Sequence, residues 1–209
     1  MTDQIRTVFV VDDDDAVRES LSMLLRSIGL PVASYSSATE FLAEYQDGPG
    51  CLVLDIRMPG MSGLELQRNL NDRHAILPII FITGHGDVPM AVEAMQAGAA
   101  DFLQKPFLDE DLLDRIHRAL ERDQANRKLL LDRDRIIERL QRLTPREREV
   151  IDLLARGKAN KVIAADLGVS QRTVEIHRAR VMGKMGAASL AHLVRMVVRA
   201  EERSVATGR

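Results

Sequence analysis

The sequence predicts an α/β doubly wound five-stranded parallel sheet followed by a small all-α domain, the two joined by a helical linker. Three observations carry this. Short continuous apolar runs alternate with helical periodicity five times before residue 123, which is the pattern of stacked βα units with right-handed crossovers. Beyond residue 142 only helical periods occur, punctuated by glycines. The charge also divides. Residues 1–125 carry 10 Lys+Arg against 21 Asp+Glu, while residues 126–209 carry 19 against 10, within a net charge of -2. An acidic half joined to a basic half implies two domains with different partners, the basic one facing phosphates. The predicted divisions are residues 1–122, a linker at 123–142, and 143–209.

Val8-Phe9-Val10-Val11 ends in four aspartates and reads as a strand buried on both faces. Val17, Leu21, Leu24, Leu25 and Ile28 then recur at helical spacing, and Gly29 ends that helix. Val32 to Tyr35 forms a weak second strand, Cys51 to Leu54 a third, Ile79 to Ile82 a fourth, and Phe102-Leu103 the centre of a short fifth. Helices are expected at 38–45, 63–71 and 88–97, with another from Glu110. Asp14 and Asp15 read as a solvated helix start.

The strand ends matter most. Asp12 and Asp13 follow the first strand, Asp55 the third, Thr83 the fourth, and Lys105-Pro106 the fifth. A parallel sheet puts all these ends on one edge, where open α/β sheets place their ligands. Asp55 alone could be a metal ligand, a nucleophile or a satisfied loop acid. Three converging carboxylates repel one another, and a hard divalent cation such as Mg²⁺ resolves the repulsion with oxygen ligands. The lysine and the threonine hydroxyl then suit a phosphoryl group, as a point charge and a donor. Together these groups suit the formation of an aspartyl phosphate. His85, with no second His or Cys at ligand spacing, reads as loop structure.

From Glu110 to Arg142 neither proline nor glycine interrupts the chain. Leu129, Ile136 and Leu143 recur at seven, as do Leu130 and Ile137, either as a short coiled-coil seam or as the stripe of a partly exposed spacer. Thr144, Pro145 and Glu147 mark a helix start with a capping box, and Val150, Leu153 and Leu154 face inward. A helix at 161–167, Gly168, and a Ser170-capped helix to Met185 make a helix-turn-helix. At 100° per residue, Val174, Val181 and Met185 form its buried stripe. Arg172, Ile176, Ala179, Arg180 and Gly183 lie opposite, with Glu175 at the edge. That face suits a major groove, where arginines reach guanine or phosphate and Ile176 meets a thymine methyl. His177 is expected half-buried and hydrogen-bonded. Leu190, Leu193, Val194, Val197 and Val198 form a final stripe, assigned to a dimer contact over ordinary core. Residues after Arg203 read as disordered.

Composition narrows the classes. Aromatics are 3% with no Trp, against a carbohydrate cleft or a base-stacking platform. The single cysteine, Cys51, excludes an internal disulfide and reads as a buried thiol in a reducing cytosol. No apolar run is long enough to span a membrane, and no signal pattern opens the chain.

Val-Val-Asp-Asp-Asp, Asp55 with Met58-Pro59-Gly60, Thr83-Gly84 and Lys105-Pro106-Phe107 resemble the receiver domain of two-component response regulators. The run from Thr83 to Met95 resembles the FixJ-type subgroup. The resemblance implies that Asp55 is the phosphoacceptor for a sensor histidine kinase. It implies Mg²⁺ on Asp13, Asp55 and the Arg57 backbone carbonyl, with Asp12 assisting, and Lys105 on the phosphoryl oxygens. Thr83 and an inward-turning Phe102 are the implied switch, and Lys105–Pro106 an implied cis bond. Leu143 to Val197, with Leu-Thr-Pro-Arg-Glu-Arg-Glu-Val and Arg172-Thr-Val-Glu-Ile-His177, resembles the LuxR-type output domain. That resemblance implies phosphate contacts by Lys161 and Thr173, and base contacts by Glu175, Ile176 and Ala179. The implied whole is a cytoplasmic, phosphorylation-switched transcription regulator that dimerises and binds a two-fold-related site in double-stranded DNA, with RNA polymerase as a further partner. Two rivals stand beside it. One is a phospho-dependent protein-interaction module without DNA binding. The other is a dehalogenase-type phosphatase, whose motif Ala16 breaks and which leaves Asp55 unused.

Overall fold

A computed structural model describes residues 5–84 and 88–201. The chain divides into two compact units, Met1–Arg127 and Lys128–Arg209, so the first extends five residues into the predicted linker. His85 and the residues after Arg203 lie outside the described residues.

The first unit holds β1 (Thr7–Val11), α1 (Asp15–Ser27), β2 (Val32–Tyr35), α2 (Ala38–Glu44), β3 (Gly50–Asp55), α3 (Gly63–Asp72), β4 (Ile79–Thr83), α4 (Val88–Gln96), β5 (Asp101–Gln104) and the first part of α5 (Asp109–Gln141). The strands are parallel in the order β2-β1-β3-β4-β5. Alternation of side chains explains the continuous apolar runs. Val8, Val10, Cys51, Val53, Ile80 and Ile82 pack with Leu21 and Leu25 of α1 and Leu112 and Ile116 of α5. Phe9, Val11, Leu52, Leu54, Ile79 and Phe81 pack on the other face with Phe41 of α2, Leu66 and Leu70 of α3, and Ala94 of α4. The order reverses between β1 and β3, so the crevice at their C-terminal ends is where a ligand site belongs.

Local chemistry sets the helix starts around that edge. Asp14 caps α1 by accepting the Ala16 and Val17 amides. Ser62 and Glu65 form a capping box on α3. At Gly63 a Cβ would stand 2.3 Å from the Asp55 carbonyl oxygen, so only glycine lets α3 begin beside the end of β3.

The second unit comprises the end of α5 with α6 (Pro145–Ala155), α7 (Asn160–Leu167), α8 (Gln171–Met185) and α9 (Leu190–Glu201). The capping box of Thr144 and Glu147 and the Ser170 cap form as expected. Three expectations change. Ile136 and Leu143 are buried in this unit's core while Leu129 is 61% exposed, so the proposed seam does not present one free face. In α6 the buried residues include Ile151, and Leu153 is only partly covered. In α9, Leu193, Met196 and Val197 belong to the core, because a domain this small needs that stripe to close itself; Val198 stays exposed. Among the described residues, no single helix is long and apolar enough to cross a membrane.

Candidate functional site

The C-terminal edge of the sheet carries an open cleft of ≈ 320 Å³ lined by Asp12, Asp13, Asp14, Asp55, Ile56, Arg57, Ile82, Gly84 and Lys105. Of the predicted site residues, five meet here: Asp12, Asp13, Asp55, Arg57 and Lys105. The sixth, Thr83, is buried between the lining residues Ile82 and Gly84, and its carbonyl accepts the Lys105 N–H at 2.7 Å. Lys105–Pro106 is cis.

Lys105 Nζ bridges the two inner carboxylates, 2.9 Å from Asp12 Oδ2 and 3.0 Å from Asp55 Oδ1. Asp55 Oδ2 accepts the Arg57 N–H at 2.7 Å, and Asp12 Oδ1 accepts the Asp14 N–H at 2.9 Å. Burial pushes the Asp55 carboxyl up, more than Lys105 pulls it down. Burial alone lowers the Lys105 ammonium, but its bonds to Asp12 and Asp55 outweigh that and hold it above its ordinary value. The cleft is thus a partly desolvated anionic site in which Lys105 is held as a cation between the carboxylates. Among the described residues no three carboxylate, imidazole or thiol groups stand in coordinating geometry; Asp12 and Asp55 each spend an oxygen on Lys105.

Phe102 does not turn inward here. It is 42% exposed and borders an apolar hollow of ≈ 340 Å³ with Ala91, Val92, Met95 and Gln96. The sequence reading missed Arg18, whose guanidinium donates to the Asp12 carbonyl at 2.7 Å and pairs with Asp15. The i,i+3 spacing of Asp15 and Arg18 was the available signal.

On the second unit, Val174, Val181 and Met185 of α8 are fully buried. Lys161, Arg172, Glu175, Ile176, Ala179 and Arg180 are exposed, Ile176 by 46%. Thr173 is half-buried, its hydroxyl 2.8 Å from Ser170 Oγ. His177 corrects an expectation: it is half-buried, but its Nδ1 is buried without a hydrogen-bond partner among the described residues.

An acidic strand-end cleft with a bridging lysine, followed in one chain by a helix-turn-helix with a cationic outer face, defines a two-domain signalling protein that reads DNA. Comparison with known proteins agrees. Residues 8–117 match the response regulator receiver domain, and residues 141–197 match the bacterial regulatory proteins of the luxR family. The chain belongs to the response regulators that join these two domains. It is 53% identical over 192 residues to the transcriptional regulatory protein FixJ of Azorhizobium caulinodans, covering 91% of each chain. To the response regulator protein TodT of Pseudomonas putida it is 44% identical over 203 residues, covering 97% of this chain and 89% of that one. The solved structure of the response regulator StyR superposes with a TM-score of 0.82 at 47% identity, covering 93% of this chain and 98% of that chain. The protein is a phosphorylation-dependent, DNA-binding transcription regulator, partnered by a sensor kinase, and not an enzyme.

Proposed function

We propose that Asp55 is the phosphoacceptor and that its phosphorylation drives the chain to pair with a second copy on a two-fold-related DNA site. The observation that carries this reading is Lys105, held by Asp12 and Asp55 at the sheet edge. An Asp55 carboxylate oxygen attacks the phosphorus of the kinase phosphohistidine. The O–P bond forms, the P–N bond breaks, and the departing imidazole takes up a proton. Lys105 exchanges Asp55 Oδ1 for the phosphoryl oxygens, adding a point charge where negative charge accumulates.

The donor set suits Mg²⁺. Asp12, Asp13, Asp55 and Arg57 border one open cleft, and carboxylate and carbonyl oxygens are the ligands a hard cation takes. When bound, the ion supplies charge compensation for the carboxylates and the phosphoryl group.

Phosphorylation adds roughly 1.5 to 2 negative charges. Thr83 then donates its hydroxyl to the phosphoryl group, and Phe102 leaves the surface for the space behind Thr83. The exposed Val92 and Met95 supply an apolar surface for the second copy. On the output domain, Lys161, Arg172, Thr173 and Arg180 meet phosphates or guanine, and Glu175, Ile176 and Ala179 face bases. We place the protein in the cytoplasm, with RNA polymerase as a further partner of the DNA-bound dimer.

Sedimentation equilibrium with Mg²⁺ tests the reading. Wild type passes from monomer to dimer on beryllofluoride, Asp55→Asn does not, and Met95→Lys still binds beryllofluoride but stays monomeric. A shift that persists in Asp55→Asn removes Asp55 from the switch.

A further inference from the structure

Residues 118–140 of α5 belong to neither matched domain, since the receiver match ends at 117 and the luxR-family match begins at 141. Side chains near the end of this stretch nonetheless close the output domain. Ile136 is buried in its core with Leu140 packed against it. Arg139 donates through one guanidinium nitrogen to the Met185 carbonyl oxygen at 2.7 Å. Met185 is the last residue of α8, so the guanidinium sits on the negative end of the helix that carries the exposed cationic face. The bond is also reciprocated, because Lys184 Nζ of α8 reaches the Arg142 carbonyl at 3.3 Å.

Gly186 shows how closely the arginine is fitted. It ends α8 with φ +65°, and a Cβ there would stand 3.0 Å from Arg139 Nη1. The left-handed backbone favours glycine at this position, and a Cβ there would press on the arginine. The amides of Gly186 and Ala187 satisfy the Gly183 and Met182 carbonyls, and Arg139 supplies a charged donor for the next exposed carbonyl, at the end where a cation is favoured.

We infer that Arg139 is a positioning residue of the DNA reader: from the linker helix it fixes the C-terminal end of α8 and so sustains DNA affinity. This rests on α8 being the DNA-reading helix. It assigns the end of the linker a role in recognition with no contact to DNA. The arginine acts through helix geometry, unlike Arg172 and Arg180, which stand on the outer face.

The test uses the full-length chain with beryllofluoride, and a duplex selected by the wild-type protein from a random-sequence library. Arg139→Ala weakens binding by on the order of tenfold, the usual scale for one lost hydrogen bond to a charged group. The slope of log affinity against log salt stays that of wild type, because no phosphate contact is removed. Arg139→Lys, which keeps one charged donor, restores part of the loss. Gly186→Ala strains the left-handed cap and presses on the guanidinium, so it weakens binding, and the part that runs through Arg139 disappears in the Arg139→Ala background, making the two effects non-additive. Arg139→Ala and Arg139→Lys carry the test alone if Gly186→Ala fails to fold. Unchanged affinity in Arg139→Ala, additivity of Arg139→Ala with Gly186→Ala, or a salt slope reduced by about one overturns the inference; the reduced slope makes Arg139 a phosphate contact. Arg180→Ala separates the two readings. If it leaves binding intact, α8 is not the reader. If it weakens binding while Arg139→Ala does not, only the positioning role falls.

Discussion

Lys184 Nζ donates to Glu147 Oε2 over 2.6 Å, joining the first turn of α6 to the last turn of α8. The same oxygen accepts the Thr144 N–H at 2.8 Å, so one buried carboxylate closes a capping box and ties two helices of the output domain. Lys184, then the Thr144 N–H, hold the Glu147 carboxyl at about 2, below its ordinary 4.5.

That depression fixes a pH dependence. A carboxylate with a lowered folded value stabilises the fold above its unfolded value and loses that contribution as pH falls through the folded one. The window here runs from 4.5 down to about 2. Glu147→Gln should flatten the acid limb of the output domain's helical transition in that window. At neutral pH it should cost about 1 kcal/mol, or roughly 4–8 °C in Tm, from the lost charge in the bond to Lys184, since glutamine still completes the capping box. Circular dichroism melts across the window decide it; an unchanged acid limb would show that the pair adds nothing to stability.

Asp55 carries the opposite sign. Burial raises its carboxyl above the ordinary 3.8, so its contribution to stability is present below that value and lost as pH rises through the folded one. A functional charge in a partly buried site therefore weakens the unphosphorylated receiver at neutral pH. Asp55→Asn, which still offers Lys105 an acceptor, should raise the receiver's Tm near pH 7, and the gain should shrink as pH falls toward 3.8. A gain independent of pH would trace the effect to packing and not to charge.

The strands and the sheet edge were legible because they depend on period and position. A strand covered on both faces has no polar side, so five apolar runs announce themselves, and their last residues share an edge in any parallel sheet. The α8 stripe was legible for the same reason: 100° per residue sorts Val174 from Arg180 without knowledge of the fold. Ile136 and Leu143 misled because a seven-residue repeat and the stripe of a helix docked on a small core look alike over two turns. The exposed setting of Phe102 depends on what packs around it, which no residue pattern encodes. His177 was given a partner on general grounds, and only packing shows that its Nδ1 has none among the described residues. The least legible contact joins residues 73 apart: the Asp123 carboxylate accepts the Gly50 N–H at 3.0 Å. Its main-chain donor leaves no mark on the side-chain pattern.

That contact moves Asp123 from the predicted linker into the receiver. Asp123 is fully buried, with Arg127 Nε at 2.9 Å, and Arg127 donates onward to the Asp47 and Gly48 carbonyls at 2.9 and 2.7 Å. Burial pushes the Asp123 carboxyl up despite these donors, so the pair's value to the fold lies in satisfying one another and the Gly50 amide. Asp123→Ala leaves the buried Gly50 amide and the Arg127 Nε–H without their acceptor and should destabilise the receiver by about 1–3 kcal/mol. Asp123→Asn, which can still accept from Gly50, should cost less. Urea unfolding of the first unit measures both. Gly50 begins β3 and Asp55 ends it, so this anchor lies at the edge of the sheet opposite the cleft. Acetyl phosphate should therefore label the folded fraction of Asp123→Asn at the wild-type rate. A slowed rate would mean that the α5 anchor reaches across the sheet to the cleft at Asp55.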